Sequence, residues 1–328
     1  MKKKLQFEWF ENPDEALVLI KKEIILGILP RIKESKLRFQ LKQNKPIRVK
    51  TLKIILNNLK IDYSSFNKNI QALGGSKFVY PINLPLELDK IESVILVAAF
   101  MSDGSNQPQP LYANIGFLGE KITKAAQTII PNIPWKIENK KVRFHKVLSR
   151  ILTKLGVPEG NKTILNPKIP NFIYENTTYK KEYLTQVFDD EGHAATRDSR
   201  KIVLGRSVAV HSLPTPFLES LIYTKKNYYN SLPEEIKQVV RMQPPNLLLM
   251  EYDLLNEFGI KSSMRCRGLT KYLETISADW VIEIAGRENL EKFNRNIGFS
   301  HPEKIKQMER YFSTCRENKI TIKAEERK

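Results

Sequence analysis

Two carboxylates in this chain stand where helix electrostatics disfavours them. In Leu96-Val97-Ala98-Ala99-Phe100-Met101-Ser102-Asp103-Gly104, an apolar helix-like run ends on an acidic residue followed directly by glycine. The pattern recurs in Leu184-Thr185-Gln186-Val187-Phe188-Asp189-Asp190-Glu191-Gly192. The last turn of a helix carries the negative end of the macrodipole and ordinarily favours Lys or Arg. The glycine is expected to close each helix in the left-handed conformation. Meeting that electrostatic penalty twice implies something positive at both helix ends, and a divalent cation held by hard oxygen ligands is the chemistry these residue types suit. The local alternative is that each acid merely ends a helix, with Asp103 capping a turn at Gly104. Asp189 and Asp190 add further negative charge, and one of them is expected to be a solvated neighbour of Glu191.

The rest of the composition narrows the partner. Lys and Arg outnumber Asp and Glu by 54 to 36 in 328 residues, a net charge of +18 with a pI near 9.6. Such a surplus suits a polyanion, nucleic acid first; a lysine-rich solvated surface is the plainer alternative. Cys266 and Cys315 are the only cysteines, and four scattered histidines form no metal-binding spacing, so disulfides and zinc are not expected. No leader-like segment opens the chain and no apolar run reaches about 18 residues, which predicts an intracellular protein, cytoplasmic or nucleoid-associated, neither secreted nor in a membrane.

Several elements must position the two acids. Residues 1–85 read as a small helical domain. One helix is expected from Glu15 to about Ile32, behind Asn12-Pro13-Asp14. Another carries Leu52, Ile55, Leu56 and Leu59. A third, from Phe66 to Leu73, is capped by Ser64 or Ser65 and stopped by Gly74-Gly75. The last two resemble a helix-turn-helix, although any small bundle shares that look. Residues 86–157 follow the first acidic-end helix with an alternating strand at Leu111, Ala113, Ile115 and Phe117. A hairpin then sets Trp135 and Ile137 across from Val142 and Phe144, turning at Asn139-Lys140, and a helix runs from Lys146 to Leu155. Residues 158–179, punctuated by Pro158, Gly160, Pro167 and Pro170, read as a linker.

Residues 180–312 repeat the plan at greater length. Strands are expected over 194–201 and 202–210, a helical insertion near 215–242, and a helix over 246–258. A strand through Met264 and Cys266, another over 280–285, and a helix from Asn289 to Asn296 follow, before a charged tail at 313–328. One unit, helix-strand-strand-helix-strand-strand-helix, therefore occurs twice.

In these features the chain resembles the LAGLIDADG homing endonuclease family. Both nonapeptides match its signature in position, with an apolar helix, an acidic eighth residue and a glycine ninth. The segment from Trp280 to Phe299, with Gly286-Arg287-Glu288-Asn289-Leu290 and Phe293 before Ile297-Gly298-Phe299, is similar to the family's closing strand and helix. The resemblance covers about residues 88 to 312. It implies an α+β fold of two pseudo-twofold-related αββαββα units with saddle-shaped antiparallel sheets, in one monomeric chain, the signature helices packed on the axis. A start at Met1 and an end at Glu325-Glu326-Arg327-Lys328 favour a free-standing protein over an intein.

The implied activity is site-specific hydrolysis of double-stranded DNA with Mg²⁺, for which Mn²⁺ can substitute. Asp103 and Glu191 are then the metal ligands and catalytic acids, and Lys141 stands at the strand position of a catalytic basic residue. Glu283 occupies the matching place in the second half, a departure from a symmetric pair. Gln186 and Asp190 are larger than their counterparts Ala98 and Ser102, so helix spacing or metal geometry is expected to differ. Two-stranded ribbons with one apolar and one basic face suit the major groove. The candidate DNA contacts are Lys136, Lys141 and Arg143 in the first half and Arg197, Lys201, Arg206, Arg265 and Arg267 in the second. The principal alternative is a protein of the same fold that binds without cutting, an RNA maturase or a DNA-binding regulator.

Overall fold

A computed structural model describes residues 4–5, 17–74, 79–196, 198–214, 217, 221, 226–272 and 275–325, with side chains described outside 4–5, 79–80 and 315–325. The chain divides into two compact units, residues 1–100 with 104–159 and residues 101–103 with 160–328. The turn bearing Ser102 and Asp103 thus belongs to the second unit. The architecture is mixed α+β with antiparallel sheets.

The first unit does not begin as a helical bundle. Strand β1 (Lys4–Leu5) pairs with β6 (Leu86–Glu87). Between them, β2 (Leu17–Ile20), β3 (Ile47–Arg48), β4 (Ile70–Gly74) and β5 (Val79–Pro81) form an antiparallel sheet in the order β3-β2-β4-β5. The helices there are α1 (Lys22–Ile28), α2 (Ser35–Lys42), α3 (Val49–Asn58) and α4 (Tyr63–Phe66). The expected helix from Glu15 therefore starts only at Lys22, because Val18 and Ile20 bury one face of a strand. Its proposed start at Asn12-Pro13-Asp14 lies outside the described residues, as does Gly75.

The helix expected from Phe66 to Leu73 is likewise reduced to the four residues of α4, capped by Asp62, whose carboxylate accepts from the Ser65 amide at 2.9 Å. Ile70–Gly74 pairs with β2 instead, since a short apolar run gains more from an open sheet edge than from an isolated helical turn. The helix-turn-helix reading loses its second helix.

The first repeat runs α5 (Ile91–Met101), β7 (Gly104–Ser105), β8 (Leu111–Tyr112), α6 (Phe117–Ile129), β9 (Trp135–Glu138), β10 (Lys141–Phe144) and α7 (Lys146–Leu155), with sheet order β7-β8-β10-β9. The strand expected through Phe117 stops at Tyr112, and Phe117 instead opens α6. The hairpin forms in the expected register: Ile137 faces Val142 and Trp135 faces Phe144. Asn139 and Lys140 have φ of 50° and 58°, the paired left-handed conformation that suits the twist of a two-residue turn.

In the second unit, two short helices occupy the expected linker: α8 (Lys162–Leu165) and α9 (Asn171–Tyr174). The repeat follows as α10 (Thr177–Glu191), β11 (Lys201–Ala209), β12 (Lys226–Tyr228), α11 (Glu234–Arg241), α12 (Asn246–Glu257), β13 (Ser263–Tyr272), β14 (Thr275–Ala285) and α13 (Arg287–Asn296). A final helix, α14 (Pro302–Glu325), continues through most of the expected tail. The strand expected over 194–201 is replaced by one isolated bridge, His193 to Val203. The insertion near 215–242 is helical only at α11; it also supplies β12, which pairs with β13, and residues 215–216, 218–220 and 222–225 lie outside the described set.

The sheet order is β11-β14-β13-β12. The orders β7-β8-β10-β9 and β11-β14-β13-β12 share one arrangement, a hairpin (β9–β10, β13–β14) whose second strand pairs with an earlier strand, β8 or β11. No described helix is long and apolar enough to cross a membrane.

Candidate functional site

The two glycines that follow the acidic residues are not left-handed. Neither is among the positive-φ glycines, and Gly192 has φ −77° and ψ 142°. What they share is closeness to the preceding helix turn. A Cβ on Gly104 would lie 2.7 Å from the Phe100 ring and 2.8 Å from the Phe100 Cα. A Cβ on Gly192 would lie 2.8 Å from the Phe188 ring and 3.0 Å from the Phe188 Cα. At each junction the backbone folds back over the phenylalanine four residues earlier, and only a hydrogen side chain fits.

The positive charge expected at the helix ends is present, and lysines of the chain supply it. At the end of α10, Lys304 Nζ donates to the carbonyls of Phe188 (2.8 Å), Asp189 (2.6 Å) and Gly192 (2.6 Å). Asp189 in turn anchors the turn that leads into α14: it is 2% exposed and accepts from the amides of Ser300 and His301, both at 3.0 Å. It is a buried anchor for that turn and not a solvated neighbour of Glu191. Asp190 accepts from Gln186 Nε2 at 3.0 Å. Beside the other acidic turn, Lys162 Nζ donates to the carbonyl of Ser102.

Burial lowers both lysines, Lys162 to about 8 with Arg206 adding to the effect, while Glu191, Asp103 and Asp190 oppose it. Lys304 is lowered by burial against Asp189, Asp190, Asp103 and Glu191. Asp103 and Glu191, from separate nonapeptides, therefore act on the same two ammonium groups.

Arg206 holds Glu191. Its Nη1 contacts Glu191 Oε1 at 2.8 Å and the Met101 carbonyl at 3.1 Å, and its Nη2 reaches Ser102 Oγ at 3.2 Å. The same guanidinium grips Glu251 in two places, Nη2 to Oε1 at 2.7 Å and Nε to Oε2 at 3.3 Å, while Tyr183 Oη donates to Glu251 at 3.2 Å. Arg206 is 8% exposed and Glu251 fully buried. Burial alone would push the arginine down, but Glu251 and Glu191 outweigh it and hold the guanidinium protonated; burial pushes the Glu251 carboxyl up, against Arg206.

Arg206 is thus a core residue and not a nucleic-acid contact. The signal was available in strand parity: along β11 it shares a face with Ile202, Leu204 and Val208, all buried, whereas Lys201 lies on the other face.

A cavity of about 210 Å³ opens beside this network, with Ser102, Lys162, Glu191 and Arg206 in its wall. A hollow of about 300 Å³ extends from Glu191 along the polar face of the sheet to Arg267. Among the described residues no group of three or more His, Cys, Asp or Glu could hold a metal ion. An ion held by Asp103 and Glu191 would meet Lys162 and Arg206 as well, since the wall of this cavity contains one carboxylate, Glu191, and not Asp103. Glu191 Oε1 is engaged by Arg206, leaving Oε2 for such an ion.

The remaining candidate contacts divide by their ion pairs. In the first unit, Glu138 binds Lys136 at 3.0 Å and Arg143 at 2.8 Å. In the second, Glu283 binds Lys201 at 2.7 Å and Arg265 at 2.8 Å. Hydrogen bonds from these two partners hold the Glu283 carboxyl below its usual range even though burial opposes them. Lys141 and Arg267 are exposed and have no carboxylate partner among the described residues; Arg267 sits at the β-bulge of β13, a feature that re-aims a side chain. Arg197 lies outside the described residues. Lys162, Glu251 and Lys304 escaped the sequence reading. No protein-family model matches the chain, and no curated protein matches it.

Proposed function

We propose that the chain is a monomeric, site-specific double-strand DNA endonuclease of the LAGLIDADG type, working with Mg²⁺ or Mn²⁺ and acting on the junction where its own gene inserts. The observation that carries this reading is that Asp103 and Glu191, from separate nonapeptides, act on the same two ammonium groups, those of Lys162 and Lys304. Repeat topology supports it, as does the basic surplus of the chain.

Asp103 and Glu191 are the residues that would hold the ion. Bound there, it would supply an acidified water and charge stabilisation for a phosphate oxygen. The chain's own residues do the positioning. Arg206 fixes the Glu191 carboxylate, and Glu251 with Tyr183 fixes Arg206, so one oxygen of Glu191 is aimed by a buried network. Lys141 and Arg267, the exposed strand cations outside the Glu138 and Glu283 pairs, are assigned to DNA phosphates, and Lys136, Arg143, Lys201 and Arg265 to contacts that compete with Glu138 or Glu283.

A second reading, an RNA maturase or DNA-binding regulator that does not cut, is favoured by one observation: Lys162 and Lys304 already meet the charge at both acidic turns. Incubating the purified full chain with Mg²⁺ and plasmid DNA carrying the uninterrupted junction decides between them. A single double-strand cut is expected, with Asp103→Asn and Glu191→Gln binding but not cutting. Tight binding with no cleavage in either Mg²⁺ or Mn²⁺ would establish the second reading.

A further inference from the structure

Residues 17–74 carry 13 Lys and Arg against 3 Asp and Glu, so fewer than a fifth of the residues hold +10 of the chain's +18. These cations precede both repeats and play no part in the proposed hydrolysis. A groove of about 1060 Å³ lies in this segment, lined by α2, α3 and the turns that lead into them. Arg31, Lys33, Lys36 and Arg48 stand in its wall, all exposed, against the single carboxylate of Glu34. None of the four cations has a carboxylate partner among the described residues. The strand cations of the repeats differ in this respect, since Glu138 and Glu283 each neutralise two of them.

The lining decides which polyanion fits. No described lining residue is aromatic, so the groove has no platform on which the bases of a single strand could stack. Ile54 is the one exposed large hydrophobic among them, which leaves an acidic amphipathic peptide or a lipid surface little to bury. Gln40, Thr51 and Asn58 add side-chain donors that suit phosphate and sugar oxygens. Helix α3 borders the groove from Arg48 to Asn58, and its ten residues span about 15 Å, a length over which a duplex presents several phosphates. Exposed Arg38, Lys42 and Lys50 carry positive charge past the groove, more than a short acidic segment would need.

We propose that this groove is a second DNA-binding surface, which takes the sugar-phosphate backbone of a duplex by charge and without reading bases. Binding there releases counterions whatever the sequence, so it raises affinity for any duplex and steepens the salt dependence. Base reading is not assigned to it, because α4, the second helix of the expected helix-turn-helix, has only four residues. The proposal goes beyond the endonuclease reading: Asp103 and Glu191 have no part in it, and only the choice of DNA over RNA follows from that reading.

The test uses the full chain and a random-sequence duplex, with circular dichroism to verify folding. Fluorescence anisotropy gives the slope of log K against log salt for the natural chain and two triple variants. One, Lys33→Gln with Lys36→Gln and Arg48→Gln, strips the groove; the other, Lys21→Gln with Lys22→Gln and Lys68→Gln, removes the same charge elsewhere in the segment. The groove variant should lose about 2–3 from the slope and the control less than about 1. On the natural chain, saturating duplex should slow acetylation of Lys33 and Lys36 at least about threefold and leave Lys21, Lys22 and Lys68 unchanged. A natural slope in the groove variant, an equal loss in the control, or no protection of Lys33 and Lys36 would overturn the proposal. So would single-stranded DNA or duplex RNA protecting those lysines better than duplex DNA. Loss of binding to phosphatidylserine vesicles or poly-glutamate by the groove variant, with its duplex slope intact, would assign the groove to a lipid surface or an acidic protein segment instead. Failure of the nuclease reading looks different: Lys33 and Lys36 are protected by duplex while no DNA is cut.

Discussion

Arg206 and Lys162 are two cations in one acidic neighbourhood, and their surroundings act on them in opposite senses. Arg206 is held by a two-point contact with Glu251 and a third bond to Glu191. Deleting one partner of such a buried pair typically costs about 3–5 kcal/mol, because it strands the other charge. Lys162 moves the other way: burial and Arg206 lower it from 10.5 to about 8. Its folded-state value lies below its unfolded value, so between those limits the unfolded chain binds the extra proton. Stability should therefore rise as pH rises from about 8, with a slope of up to ~1.4 kcal/mol per pH unit from this one group. The useful window closes near pH 9.5, since Tyr174 and Tyr183 are raised on folding and work in the opposite direction above their ordinary range. Urea denaturation at pH 7.5, 8.5 and 9.5, for the natural chain and for Lys162→Met, isolates the effect. Equal pH slopes in the two proteins would show that Lys162 is not held against its charge.

Both nonapeptides end in an acidic residue and a glycine, and in each the glycine lies against the phenylalanine four residues earlier. Phe100 with Gly104 and Phe188 with Gly192 make the same contact, ring and Cα of the aromatic against the place of a Cβ. Gly104→Ala and Gly192→Ala should each destabilise the fold by about 1–3 kcal/mol through overpacking. Because backbone conformation is ordinary at Gly192, adding Phe188→Leu to Gly192→Ala should recover part of the loss. If Gly192→Ala leaves the melting temperature unchanged, the close approach is not what the glycine serves.

The sequence pattern made this junction visible through spacing alone, although it suggested a left-handed cap, since glycine looks the same in both roles. It was equally informative for α12 and for the turn and register of the β9–β10 hairpin, although Trp135 and Ile137, expected on the packed face, are exposed. It failed where partners are distant along the chain. Ile70–Gly74 is helix-like until β2 offers an edge, and Lys162 reads as linker until the turn at Ser102 is brought beside it. Arg206 was legible in principle, through the parity of Ile202, Leu204 and Val208, but its basic type drew it to the wrong face.

A surplus of +18 sets the long-range behaviour of the chain, yet many cations on the repeat strands are locally balanced. Glu138 and Glu283 each hold two of them, and Asp279 holds Lys226 at 2.7 Å. Affinity for a polyanion comes from the charges that displace counterions, so paired cations should count for less than unpaired ones. On the proposed reading, Lys141→Ala and Arg267→Ala should each weaken duplex binding and lower the slope of log K against log salt by about 1. Lys136→Ala and Arg265→Ala should lower it by a smaller amount, because Glu138 or Glu283 then loses a partner it was neutralising. Fluorescence anisotropy on one duplex between about 50 and 200 mM salt spans the range in which several phosphate contacts become measurable. A slope unaffected by Lys141→Ala and Arg267→Ala together would place the polyanion on some other basic surface, and the strand faces of the two repeats would no longer be where nucleic acid is read.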